Sequence, residues 1–130
     1  MSLRPASSRT LGAAHASASA ALVVSITEYA EHAAHSRLVQ HALRRAAPHG
    51  VKVYHDVHSV ELARRAAGAG VSGLNLLNDR MGGQTGALAP RAFLDALRAG
   101  GGDAAALPLL CAGGVGGAAD FAACLDAGYA

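Results

Sequence analysis

The apolar positions of this chain alternate between two rhythms. Ala21 to Ile26 (ALVVSI) is a short, nearly continuous apolar run rich in β-branched residues, as suits a strand covered on both faces. Thr27 is placed to cap the first helix. From Glu28 to Ala47 the rhythm changes: Val39, Ala42, Leu43 and Ala46 recur at helical spacing. Glu28, Glu31, His32, His35, Gln40, His41 and Arg44 fall largely on the remaining surface, and Pro48, His49 and Gly50 end the helix.

Three more strand–helix pairs come after it. Val51 to Val57 reads as a second strand, with Ser59 as N-cap of a helix to about Ala67 that Gly68 and Gly70 stop. Leu74 to Leu77 is a third strand; beyond it Pro90 opens a helix whose buried face is Phe93, Leu94 and Leu97, ended by Gly100, Gly101 and Gly102. Leu107 to Ala112 is a fourth strand, followed by a helix from Ala118 to about Ala127. Four β-α pairs in succession predict parallel pairing through crossover helices, hence an α/β fold.

Composition narrows this picture. A chain of 130 residues, 52% hydrophobic and 15% charged, can build one ordinary core, and the lack of Trp beside many Ala and Gly implies layers of small side chains. The net charge of +2, with basic and acidic residues interspersed, points to no nucleic-acid partner. Cys111 and Cys124 lack CxxC spacing and read as a reduced, buried pair. No apolar run reaches the ~18 residues of a membrane span. Residues 1–20, rich in Ser and Ala, read as a flexible leader ahead of a 21–130 domain in a cytoplasmic protein.

The chemistry concentrates at two strand ends. Asn78 to Gly86 contains the loop Gly82-Gly83-Gln84-Thr85-Gly86, and Gly113 to Gly117 is a second glycine loop. Such loops bring backbone N–H groups close to a phosphate or a flavin oxygen, and parallel α/β folds bind ligands at the carboxyl ends of strands. Gly114 to Ala119 also fits the dinucleotide pattern G-x-G-x-x-A, which needs an acidic residue ~20 positions on to hold the ribose, a position the chain does not reach. Glu28, Glu31, His32 and His35 read as a solvated polar face and give no metal site. His55 and His58 lie at the end of the second strand, where barrel chemistry is placed. Lys52 and Asp56 alternate with His55 and suit interior ion pairs, while Asp79 and Arg80 suit holding their loop, with Arg80 within reach of an anion.

The segments GVKVYHDVHSVELARRAAGAG, NDRMGGQTG and LPLLCAGGVGGAADFAACLDAGYA resemble, in that order, the central and C-terminal part of the nitronate monooxygenase family, formerly called 2-nitropropane dioxygenases. The resemblance runs from about Ala21 to the end. It implies an FMN-dependent TIM barrel, a fold whose relatives include flavin enoyl reductases. It further implies that Gly82 and Gly83 lie beside the flavin and that Gly113 and Gly114 offer backbone N–H groups to the FMN phosphate, with Asn78 a further cofactor-binding candidate. The substrates it implies are a small nitronate-like molecule and dioxygen.

Two departures qualify the resemblance. The family motif has His where this chain has Gln84; an amide does not titrate near neutral pH, so Gln84 suits hydrogen bonding and not general-base work. His55 is then the one candidate to substitute as acid or base. A TIM barrel also needs eight strands and typically ~250 residues, whereas about four strands are present here. The expectation is a partial, half-barrel segment of an FMN oxidoreductase, with a non-enzymatic α/β scaffold or oligomerisation module as the competing class. Its open edges, Ala21 to Ile26 and Leu107 to Ala112, predict self-association.

Overall fold

The computed structural model describes residues 23–26 and 32–130. Four strands, β1 (Val23–Ile26), β2 (Lys52–Val57), β3 (Gly73–Leu77) and β4 (Leu109–Ala112), form one parallel sheet in the order β1-β2-β3-β4. Between and after them lie α1 (His32–Ala46), α2 (Val60–Ala69), α3 (Pro90–Gly100), the short α4 (Asp103–Ala106) and α5 (Ala118–Ala127). The sequential strand order contains no reversal among the described residues. A dinucleotide fold places its ligand at such a reversal, so the G-x-G-x-x-A match at Gly114 lacks the setting that would give it meaning. The leader, Ala21, Leu22, Thr27, Glu28 and Glu31 lie outside the described residues.

Local chemistry accounts for most element ends. A 3-10 turn, Ala47–His49, closes α1, with Pro48 inside it. The Ser59 side chain accepts the Leu62 N–H at 3.2 Å and so caps α2. Pro90 occupies the first turn of α3, where a missing N–H costs nothing. Two expectations shift. Gly68 does not stop α2, which runs on to Ala69 because Ala63 and Ala66 on its inner face are fully buried and packing outweighs the ~1 kcal/mol cost of an internal glycine. The helix α4 is an addition between the glycines and β4, too short to leave a periodic signature. Its Ala104 is buried in the same core.

Strand parity sorts the side chains into two faces. Val57, Leu74, Leu76 and Leu109 pack with Leu62, Phe93, Leu94 and Leu97 of the helices into the hydrophobic core. Residues one step out of phase face the other way; there Asp56 and Asn75 lie side by side in register, and the Asn75 amide donates to the Asp56 carboxylate at 2.7 Å. Among the described residues, no helix is long and apolar enough to cross a membrane.

Candidate functional site

The two glycine loops meet around Asn78, the first residue beyond β3. Asn78 is completely buried, and every polar group it carries is engaged. Its backbone N–H extends the parallel ladder by donating to the Ala112 carbonyl at 3.1 Å. The side-chain amide donates to the Gly113 carbonyl at 3.0 Å, and the side-chain oxygen accepts the Arg80 N–H at 2.9 Å. The Asn78 carbonyl takes N–H groups from Met81 at 3.3 Å and Gly86 at 3.1 Å. One side chain therefore clasps the loop after β3 to the loop after β4.

That clasp dictates glycine at two positions. Gly113 has φ of 119°, and a Cβ there would stand 2.5 Å from Asn78 Oδ1 and 2.6 Å from the Met81 nitrogen. Gly114 has φ of 75°, and a Cβ there would stand 2.7 Å from Arg80 Cδ. Both are left-handed conformations pressed against a neighbour, which only glycine accepts without strain. Beyond them the chain turns into α5, whose N-cap, Gly117, offers no side chain to the first helical N–H groups. Such an uncapped helix start attracts negative charge. Part of that potential is already met within the protein, because the Asp120 carboxylate accepts the Gly116 N–H at 3.1 Å.

The other nominated residues are placed differently. Gly82 and Gly83 are exposed, and a Cβ on either would enter open space. Gln84, on the same loop, is half-buried, and its Oε1 is sealed from solvent with no hydrogen-bond partner. His55 is not brought to this site. It shares strand parity with Val53 and Val57, faces the helix-packed side of the sheet and is wholly buried. Its Nδ1 lies 2.7 Å from the Asp56 carbonyl oxygen; a carbonyl only accepts, so Nδ1 carries the proton. His58, just past the end of β2, is the exposed histidine near the loop, with its carbonyl 3.2 Å from where a Cβ of Gly86 would stand. Parity along Val53, His55 and Val57 was the signal that separates the two histidines.

Behind the second loop, on the helix side of β4, is a cavity of about 210 Å³. Cys111, Cys124, Tyr129 and Pro90 line it, with Arg80, Gly113 and Gly114 at the loop end. Cys111 and Cys124 are free, half-buried thiols. Burial, reinforced by a hydrogen bond with Cys124, pushes the Cys111 thiol up to about 11, so it stays protonated at neutral pH and is a poor nucleophile. The Tyr129 hydroxyl donates to the Pro90 carbonyl at 2.6 Å, and burial raises its pKa as well.

Among solved structures the chain is similar to FabK from Thermotoga maritima, with a TM-score of 0.64 and 21% identity over 83% of this chain. A second structure of that protein, carrying a methionine-to-alanine substitution, matches with the same TM-score, identity and coverage. The chain spans about a third of their length, 31% and 32% respectively. No protein-family model matches the sequence, and the search of curated proteins finds no relative. The fold is thus α/β, a run of parallel βα repeats matching part of a TIM barrel.

Proposed function

We propose that this chain forms the phosphate-side portion of an FMN-dependent oxidoreductase related to the nitronate monooxygenases. The observation that carries the proposal is the clasp at Asn78. It holds Gly113 and Gly114 in conformations closed to any side chain, at the carboxyl end of β4 and directly before an uncapped helix N-terminus. Fixed backbone dipoles of this kind suit a phosphate because they need no ordering when the ligand arrives. The residues fit the group: Gly113, Gly114 and the start of α5 for the phosphate, and Gly82, Gly83 and Gln84 on the loop after β3.

When bound, the flavin would supply the redox chemistry, taking electrons from a small nitronate-like substrate and passing them to dioxygen. The chain's own groups position and exclude. Gln84 carries a buried, unsatisfied acceptor suited to an N–H or O–H donor on ligand or substrate, and it neither takes nor gives a proton near neutral pH. His55 acts structurally in this reading, since it is walled off on the helix side.

A second reading, an α/β scaffold without catalysis, draws on Asp120, whose carboxylate already occupies one loop N–H and repels an incoming anion. Titration of FMN into the purified chain, followed by flavin fluorescence, separates the two, with riboflavin as the control lacking phosphate. The flavin proposal expects saturable FMN binding, weaker binding of riboflavin, and loss of FMN binding in Gly113→Val without loss of the circular dichroism of the fold. Equal affinity for both flavins, or no binding of either, would refute the phosphate site and leave the scaffold.

A further inference from the structure

The helix side of β4 carries a pair of thiols that the proposed phosphate site does not use. Cys111 of β4 is in register with Leu76 of β3, which is fully buried in the helix-packed core, so Cys111 faces the same layer. Cys124 approaches from α5. Both are free and half-buried, both pack against the core, and both line the cavity of about 210 Å³ behind the second glycine loop. The Cys124 thiol is a hydrogen-bonding neighbour of Cys111.

The setting differs from closed packing in two ways. Arg80 and Gly114 line the same cavity and are exposed, so its loop end opens to solvent and gives a small reagent a route to the sulfurs. The helix that brings Cys124 is also held mainly at one end. No residue of α5 is fully buried and no side chain caps its start. Its far end is tied by Arg98, which donates to the Ala127 and Gly128 carbonyls at 2.8 and 3.2 Å, and by the Tyr129 N–H, which donates to the Cys124 carbonyl at 3.0 Å. A small pivot about that end adjusts the separation of the two sulfurs without disturbing the core.

The sulfur of Cys111 is connected to the glycine loop as well. The Asn78 amide donates to it at 3.5 Å, and its S–H donates to the Gly113 carbonyl at 3.7 Å. Both partners belong to the clasp that positions Gly113. A change at this sulfur therefore reaches the loop directly.

We propose that Cys111 and Cys124 form a site of reversible oxidation, closing to an intrachain disulfide that pins α5 onto β4 behind the second glycine loop. The oxidant is a low-molecular-weight disulfide. One protein thiolate attacks a sulfur of the oxidant and expels a thiolate, leaving a mixed disulfide on the chain. The second protein thiolate then attacks the protein sulfur of that bond, forms the Cys111–Cys124 bridge and expels the other half of the oxidant. Two electrons pass from the protein to the oxidant, which leaves as two thiols carrying the two protons. Burial keeps Cys111 protonated at neutral pH, which slows the exchange without changing its products. On closure the Cys111 S–H is gone, the Gly113 carbonyl keeps the Asn78 amide as donor, and loop and helix become one linked unit. The inference does not depend on flavin binding.

Incubating the 130-residue chain with excess oxidised glutathione, then mapping its peptides without reduction, tests the proposal. The expected product is lighter by two hydrogen atoms, has the Cys111 and Cys124 peptides joined within one chain, and returns to the dithiol with dithiothreitol. Cys111→Ser and Cys124→Ser should each stop at a mixed disulfide with glutathione. In the oxidised wild-type chain, amide exchange along α5 should slow and the urea midpoint should rise, with the folding constant higher by up to about a hundredfold, the scale expected for closing a short loop. Free thiols or glutathione adducts as the end product, bridges between chains, or a midpoint that falls on oxidation would each overturn it. The first two would place the sulfurs out of each other's reach, and the last would mean that the bridge forms only in the opened chain.

Discussion

Helices α3 and α5 have similar lengths and each carries a phenylalanine, yet they meet opposite fates. In α3, Phe93, Leu94 and Leu97 are sealed in the core. In α5 no residue is fully buried, and Phe121 and Leu125 are about half exposed. Hydrophobicity does not explain this, since α5 is the more apolar of the two by composition. Position does. Helix α3 follows β3 in the interior of the sheet, whereas α5 follows β4, which among the described residues is an edge strand. A βα unit buries its apolar stripe by packing against its neighbours, so the same kind of helix is sealed over an interior strand and half exposed over an edge strand.

The sharpest test of that contrast is a matched pair of truncations. Phe93→Ala should cost about 3–5 kcal/mol, the usual range for removing a fully buried aromatic ring. Phe121→Ala, measured in the same way by urea unfolding, should cost less than about 1 kcal/mol. Equal costs would mean that α5 is as well supported as α3 and that the comparison fails.

Much of this arrangement was legible beforehand. The four strands, Ser59 as a cap, Pro90 as a helix start and the buried trio Phe93, Leu94 and Leu97 all come from local chemistry and period, signals carried within a few residues. The convergence of the two glycine loops came from parallel topology. What escaped was of two kinds. His55 lies near a strand end, the usual place for barrel chemistry, yet its parity with Val53 and Val57 aligns it with the core side, and both signals are carried by the chain. The Asn78 clasp and the Asp120 contact to Gly116 were beyond reach. They depend on distances between segments dozens of residues apart or on one rotamer in a loop, and neither leaves a periodic trace.

Asn78 also ties the loop of the end unit to the interior of the sheet. It belongs to the well-supported β3 unit and holds the β4 loop through the Gly113 carbonyl. Asn78→Ala would leave that carbonyl and the Arg80 N–H without partners, at a cost of about 1–3 kcal/mol. The loss should be local in character. Hydrogen exchange of the Gly113 to Gly117 amides should accelerate well before that of β3, and unchanged protection there would show that α5 and its loop stand without help from the interior.

The smallest expected effect probes the inner side of α5, where the end unit does make contact. Cys111 on β4 is half-covered by α5, and burial there holds its thiol near 11 against an ordinary 9.0. A pKa raised on folding means that the native state keeps a proton which the unfolded chain releases between those two values. The contribution is therefore complete below pH 9 and disappears as pH climbs toward 11. Tyr129, also raised by burial, adds a loss of the same sign at higher pH. Urea midpoints at about pH 8 and about pH 10 should differ, with the lower midpoint on the alkaline side, and Cys111→Ala should remove part of that difference. The same pH step should leave the Phe121→Ala deficit unchanged, because the Phe121 side chain is mostly exposed to solvent. A pH response carried equally by both sides of the helix would mean that α5 detaches as a whole, and the division between a docked inner face and an unpartnered outer one would have to be given up.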